Sequence, residues 1–261
     1  MEEININRYR ALIEEDLFWR LDEVNFFSNQ LNNFRVIDSS ESEANRVENE
    51  KNRYRKSLVL ILYAHFEGFF RYSFEVYAEA LNNENIAMHT AIEQLAISSN
   101  LSEFEDYDDN KKYIDFDSDP INKAIRKLEK RIDLLKKLEA KKMQPLRLHI
   151  GKHDDKKSIV YTASNLKDEI IDRILFSFGV HRDLGISESD FGQLTGRITQ
   201  LMIKRNIIAH GDNSAPEFRN GVSENEYTHF KVSFDKIVEL IPIVIAKAMR
   251  DKLYLKSEYR L

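Results

Sequence analysis

The chain contains no cysteine. That single absence excludes disulfides, thiolate metal sites and cysteine nucleophiles, and it fits a reducing compartment. Glycine and proline are scarce, at 8 and 4 of 261 residues. Together they make about 5% of the chain, against roughly 12% in average proteins. Antiparallel β-folds turn often and rely on such residues, so a sandwich, barrel or propeller is not expected. Long hydrophobic runs are missing as well. The longest, SLVLILYAHFEGFF at 57–70, is interrupted by His65 and Glu67 and followed by Arg71, short of the roughly 20 residues a membrane span needs. The first residues, MEEININRYR, lack the basic start and apolar core of a signal peptide. A cytoplasmic protein with no membrane contact is the expectation.

What remains is a composition suited to long helices. Apolar residues make up 42% and charged residues 32%, with 28 aromatics, which is enough apolar surface for a substantial core. The net charge of −5 hides a strong asymmetry. Residues 1–50 carry a balance of −7 and residues 99–120 one of −6, whereas residues 122–158 carry +8. A chain charged in this way can hold an anionic partner on one face despite its overall sign.

Hydrophobic periodicity places the elements. Ile6, Tyr9, Ile13, Leu17, Leu21, Val24, Phe27 and Leu31 recur at spacings of three and four, which predicts an amphipathic helix over about 5–33. Ser39 and Ser40, with glutamates after them, read as the start of a second helix over about 42–81, with a break near Lys56 allowed for. A short helix is expected at 86–98 and an acidic connector at 99–120. Ile121, Ile125, Leu128, Ile132, Leu135 and Leu138 form the apolar stripe of a helix over 121–142. LRLHI and SIVYT, flanking GKHDDKK, read as a small β-hairpin. Ser164 is read as the cap of a helix ending near Gly179. Ser187 and Ser189 precede a helix ending at Gly211, and a last helix over 229–256 is kinked or split by Pro242.

The segment that points to chemistry is Lys204-Arg205-Asn206-Ile207-Ile208-Ala209-His210-Gly211-Asp212. A cation is favoured at the C-terminal end of a helix, and histidine can exchange a proton near neutral pH. Gly211 lets the chain leave the helix in a left-handed turn. A histidine beside a permanent guanidinium suits RNA cleavage without a metal. The histidine takes the 2′-OH proton or supplies one to the leaving 5′-oxygen, and the arginine stabilises charge on phosphorus in the transition state. On spacing alone the bland reading competes, with an arginine snorkelling to water and a histidine capping the last carbonyls. Five residues at 100° each leave the two side chains about 140° apart. Two copies across a two-fold axis would bring a second pair to one cleft.

RNIIAHG, at a helix end before a polar loop and a final helix, resembles the R-polar-x3-H motif of the HEPN superfamily (higher eukaryotes and prokaryotes nucleotide-binding). LVLILYAHFEGFFRYSFEVYAEAL and SNLKDEIIDRILFSFGV are similar to its RiboL-PSP and MAE-like branch. The likeness covers residues 57–81 and 164–256 of one domain, 1–261, with 1–56 and 84–160 as elaborations. It implies a mainly α fold, a HEPN-type bundle with helical insertions, that dimerises with the motif lining a cleft. Many members are metal-independent endoribonucleases acting as toxins or in phage defence, alongside an antitoxin or defence partner. Carried over, His210 is the acid/base group, Arg205 the phosphate contact and Asn206 an orienting residue, with no cofactor and no metal. The rival readings are a non-catalytic helical module binding a nucleotide, nucleic acid or protein, and a structural subunit of a restriction-like complex.

Other candidates are weighed beside this motif. Glu67 lies amid apolar surface, where a carboxylate is costly unless paired. Either it orients Arg205 or His210, or it pairs with Arg71 four residues on. His65 reads as a core histidine. His149 and His153 make a poor metal site, and EFEDYDDN reads as solvated, or as a phosphate mimic for a basic partner. Lys127, Lys130, Arg131, Lys137 and Lys141 form a basic face that is either solvated or, with Lys204, a contact for the RNA backbone. No Walker loop, Rossmann glycine motif or nucleophile elbow occurs.

Overall fold

The structure, a computed structural model, describes residues 5–36, 41–114, 119–152, 155–163, 165–180, 185–211 and 221–260. Helix α1, Ile6–Asn29, starts at Asn5, whose side-chain oxygen accepts the Arg8 N–H at 3.1 Å, and ends in a 3-10 turn, Gln30–Asn33. Helix α2 is Glu41–Asn83. Forty-three residues at 1.5 Å each make a rod of about 65 Å. It does not break near Lys56. Buried Arg55 donates through Nη1 to Glu48 Oε1 and Asn52 Oδ1, both at 2.8 Å, and so ties the polar half to the apolar half. The caps expected at Ser39 and Ser40 lie outside the described residues.

Three short or peripheral helices follow. Of the segment 86–98 only α3, Glu93–Ser98, is helical. The acidic segment is a helix rather than a connector: α4, Leu101–Ile114. It packs against α5, Pro120–Lys141, which Asp119 caps by accepting the Ile121 N–H at 2.9 Å. The reason is charge. Glu103 takes Lys141 at 2.6 Å and Lys137 at 3.1 Å, while Glu105 takes Lys157 at 2.9 Å. The basic partner of the acidic run is thus this chain's own helix. The apolar stripe of α5 is not covered by any described element; Ile121, Ile125, Leu128, Ile132 and Leu135 remain 41–71% exposed.

The expected β-hairpin is absent: there is no strand among the described residues, only isolated bridges at Ala87–Pro145 and Ala91–Leu255. The backbone hydrogen bonds of 146–150 run instead to the end of α2 and its surroundings. Leu146 N–H donates to Ile86 O, Leu148 N–H to Asn82 Oδ1 and Arg147 N–H to Ser99 Oγ. Residues 155–162 turn on themselves, through Ser158 N–H to Asp155 O and Tyr161 N–H to Ser158 O. Among the described residues, Ile159 N–H to His149 O is the only backbone hydrogen bond that joins the two segments.

Helices α6, Asp168–Ser177, α7, Glu188–His210, and α8, Glu224–Arg250, complete the body. Ser164 lies outside the described residues, and Lys167 holds the cap position of α6. Ser187 and Ser223 cap α7 and α8, accepting the N–H of Asp190 and Glu226. Pro242 sits inside α8, which is not split there. α2 is the axis, with α1, α7 and α8 packed along it. A buried aromatic column, Phe66, Phe70, Phe74, Phe178 and Tyr77, runs with successive ring centroids 4.9–6.1 Å apart. The start of α8 is pinned to α2 where Val222 N–H donates to Asn52 O. Gly221 allows this approach: its φ is +85°, and a Cβ there would lie 2.5 Å from the Asn52 carbonyl oxygen. Among the described residues, no helix is long and apolar enough to cross a membrane.

Candidate functional site

The site forms where the last turns of α7 cross the middle of α2. Periodicity places Tyr63 and Glu67, four residues apart, on one face of α2. Arg205 lies over that face, with its guanidinium carbon 4.7 Å from the centre of the Tyr63 ring, a cation–π arrangement. Its Nη1 donates to Asn206 Oδ1 at 2.7 Å, and its Nη2 stands 4.0 Å from Glu67 Oε2. The Arg205 side chain is 26% exposed and that of Glu67 13%. Glu67 does not pair with Arg71, which turns to Glu75 at 3.4 Å.

A short loop before α6 closes the arrangement. Buried Thr162 donates its hydroxyl to Glu67 Oε1 at 2.8 Å. Leu166 N–H donates to the Tyr63 hydroxyl at 2.6 Å, and Asn206 Nδ2 donates to Asn165 Oδ1 at 3.1 Å. Burial first, and the Glu67 charge second, push Tyr63 above the usual tyrosine range, so its hydroxyl is neutral. Arg205 has five N–H donors. Among the described residues only one of them takes part in a hydrogen bond.

His210 is the last residue of α7 and is exposed. Gly211 follows it at φ 65°, ψ 43°, its N–H returning to Ile207 O, so the helix ends in a left-handed cap. Arg205 and His210 make no contact with each other; one is laid inward on α2 and the other stands at the helix tip. Lys204, next to Arg205, points a different way. It is buried and pairs with Glu226 of α8 at 2.8 Å.

The structure thus brings Glu67, Arg205 and Asn206 together, with His210 one turn beyond. Lys204 is spent on Glu226, and Lys127, Lys130, Arg131, Lys137 and Lys141 lie on α5. Lys137 and Lys141 are held by Glu103, and Arg131 Nε–H donates to the Tyr107 hydroxyl at 3.3 Å. His65 belongs to another seam, where its Nε2 meets Glu23 of α1 at 2.9 Å and its ring meets the edge of Trp19. His149 pairs with Asp155 at 2.6 Å, and His153 lies outside the described residues. No cluster of three or more potential metal ligands occurs among the described residues. Sequence reasoning missed Tyr63, Thr162 and Asn165. Tyr63 was open to detection through its four-residue spacing from Glu67, whereas nothing local marks Thr162.

Searches of curated proteins and of solved structures returned no significant match. The family model of HEPN_MAE_28990-like HEPN domains matches residues 9–254, a range that includes both sides of the site and the α4–α5 pair. With nearly the whole chain matched and an all-helical architecture, the chain belongs to this HEPN family.

Proposed function

We propose that this HEPN domain is an endoribonuclease that works without a metal, with Arg205 and His210 as its catalytic residues. The observation that carries the reading is the state of Arg205. Its guanidinium is oriented by Tyr63, Glu67 and Asn206, yet among the described residues most of its donors carry no hydrogen bond, one turn from an exposed histidine. That is what an anionic transition state at phosphorus requires of a donor.

In the proposed reaction the 2′-oxygen attacks the adjacent phosphorus as neutral His210 removes its proton. The P–O5′ bond breaks, and a protonated His210 from a second copy supplies the proton to the leaving 5′-oxygen. The products are a 2′,3′-cyclic phosphate and a 5′-hydroxyl. Arg205 binds the non-bridging oxygens, and Asn206 and Glu67 hold Arg205. The separation of Arg205 from His210 within one chain favours a homodimer in which each cleft draws on two copies. On α5 we assign added backbone contact to exposed cations such as Lys130 rather than to Lys137 and Lys141, which Glu103 already holds. As cellular setting we propose bacterial conflict, a toxin or phage-defence effector restrained by a partner.

The second reading is a binding module without catalysis, favoured by the fact that Arg205 lies mostly against Tyr63 rather than toward His210. Cleavage of RNA in excess EDTA by the wild type, His210→Ala and Arg205→Ala separates the two. The nuclease reading expects cleavage by the wild type alone and none of an RNA with every 2′-oxygen methylated. Equal cleavage by all three proteins, or of the methylated strand, rejects the assigned site.

A further inference from the structure

Thr162 and Asn165, before α6, reach the Arg205 guanidinium by two separate routes. One runs from Thr162 through Glu67: hydroxyl to Oε1 at 2.8 Å, then Oε2 to Nη2 at 4.0 Å. The other runs from Asn165 through Asn206: Oδ1 to Nδ2 at 3.1 Å, then Oδ1 to Nη1 at 2.7 Å. Between them Leu166 N–H bonds Tyr63, the ring on which the guanidinium lies, at 2.6 Å. These residues are themselves fastened. Asn165 N–H closes a turn onto Thr162 O at 3.1 Å, Arg173 donates to Tyr161 O, and Asp168 N–H donates to Thr199 of α7 at 3.0 Å.

Thr162 has zero exposed surface, and its hydroxyl hydrogen is directed to Glu67. A buried hydroxyl in a loop is costly unless bonded, and valine would fill the same volume without that requirement. What the hydroxyl adds is a fixed rotamer for Glu67. Because Glu67 is fastened by Thr162 and stays 4.0 Å from Nη2, it aligns Arg205 without occupying its donors in a close bidentate pair. Asn165 does the same for Asn206, whose amide is oriented with its oxygen toward Arg205.

We infer that Thr162 and Asn165 are positioning residues, which hold the Arg205 guanidinium, through Glu67 and Asn206, in the orientation that meets a phosphate group. The kinetic part of this inference rests on the nuclease reading above; the conformational part does not.

Two measurements on the full chain test it. In the first, nitrogen-15 spectra of the arginine guanidinium groups, assigned with Arg205→Lys, report rotation about the Cζ–Nε bond of Arg205. Slow rotation, with Nη1 and Nη2 resolved, is expected in the wild type and in Thr162→Ser. Averaged signals are expected in Thr162→Val and Asn165→Ala. Identical Arg205 spectra in all four proteins overturn the inference, whether or not the chain cleaves RNA.

In the second, single-turnover cleavage and affinity for a fully 2′-O-methylated RNA are measured together. Misplacing the guanidinium should slow cleavage about 10–100-fold while affinity changes by no more than about twofold, and Thr162→Ser should restore the rate. In an Arg205→Lys background Thr162→Val should have little further effect, because coupled sites are non-additive. A loss that persists undiminished there marks a general structural defect and overturns the inference. If the wild type shows no cleavage, the nuclease reading fails, and the spectra alone decide for or against the positioning role.

Discussion

Two tyrosines on α2 offer a matched experiment on what a buried hydroxyl contributes. Tyr63 and Tyr77 are both wholly inaccessible to solvent and lie in one continuous helix. Their hydroxyls differ. That of Tyr63 accepts the Leu166 N–H at 2.6 Å, whereas that of Tyr77 has no partner among the described residues. Tyr63→Phe keeps the ring beneath Arg205 but strands a buried N–H, a cost of about 1–3 kcal/mol. For a chain of this size, each kcal/mol shifts Tm by about 2–4 °C, so a 2 kcal/mol loss lowers Tm by about 4–8 °C. Tyr77→Phe removes a desolvated group that gains nothing in the folded state, so Tm should be unchanged or rise by about 2–4 °C. The two variants delete the same atom from the same residue type, and effects on the unfolded chain largely cancel in their difference. Thermal denaturation followed by circular dichroism at neutral pH measures both. Equal losses of Tm, or the greater loss at Tyr77, would refute the reasoning.

Three further expectations concern the surroundings of the site. Glu226→Gln leaves Lys204 buried without its carboxylate and should cost about 1–3 kcal/mol, less than a fully buried pair because Glu226 is 34% exposed; Lys204→Met should cost less than Glu226→Gln in urea titrations, and the reverse order refutes the account. His65 faces Glu23, Arg20, Asp16 and Trp19 of α1; burial, partly offset by Glu23, lowers its pKa below the ordinary 6.5. The unfolded chain therefore binds the proton more readily, and stability present above the ordinary value declines as pH falls through it. His65→Gln should flatten the fall of Tm between about pH 7 and pH 5, and an unchanged slope would exclude His65 as its source. Gly221→Ala should cost more than Gly185→Ala, which is limited to about 1 kcal/mol of backbone strain, because a Cβ at Gly185 meets nothing within 4 Å whereas at Gly221 it meets a backbone oxygen at 2.5 Å; equal unfolding midpoints would contradict this.

Much of the helical layout is legible in the sequence, because long amphipathic stripes and capping residues act locally. α1 falls within the expected 5–33, and α7 ends at the expected glycine. The errors arise where a segment's fate is decided by a distant partner. EFEDYDDN looks like a solvated connector because its acids repel one another in isolation; Lys137 and Lys141, 34 and 38 residues after Glu103, let it become a helix. LRLHI and SIVYT have strand-like composition, yet Asn82, Ile86 and Ser99 accept or replace the hydrogen bonds that would have paired them. At the site, Arg205, Asn206 and His210 are readable as a short motif. Glu67 stands out as a carboxylate in an apolar run, and its neighbour Arg205 is found only in three dimensions. Thr162 has no such mark, since an alcohol in a loop becomes informative only once the carboxylate it meets is known.

The hydrogen bonds around Glu67, Tyr63 and Asn206 join residues 95, 103 and 41 positions apart. Contacts of such span have a high loop-closure entropy and form after local helices. This arrangement is therefore a late product of folding. α2 can become helical with Tyr63 and Glu67 in place, but Arg205 has no seat until α7 has docked and Thr162 and Asn165 have settled beside it. The same order runs backward under stress: undocking α7 takes Arg205 from Tyr63 and Glu67, whereas Phe66, Phe70, Phe74 and Tyr77 share one helix. Arg205 acquires its orientation only in the nearly complete fold.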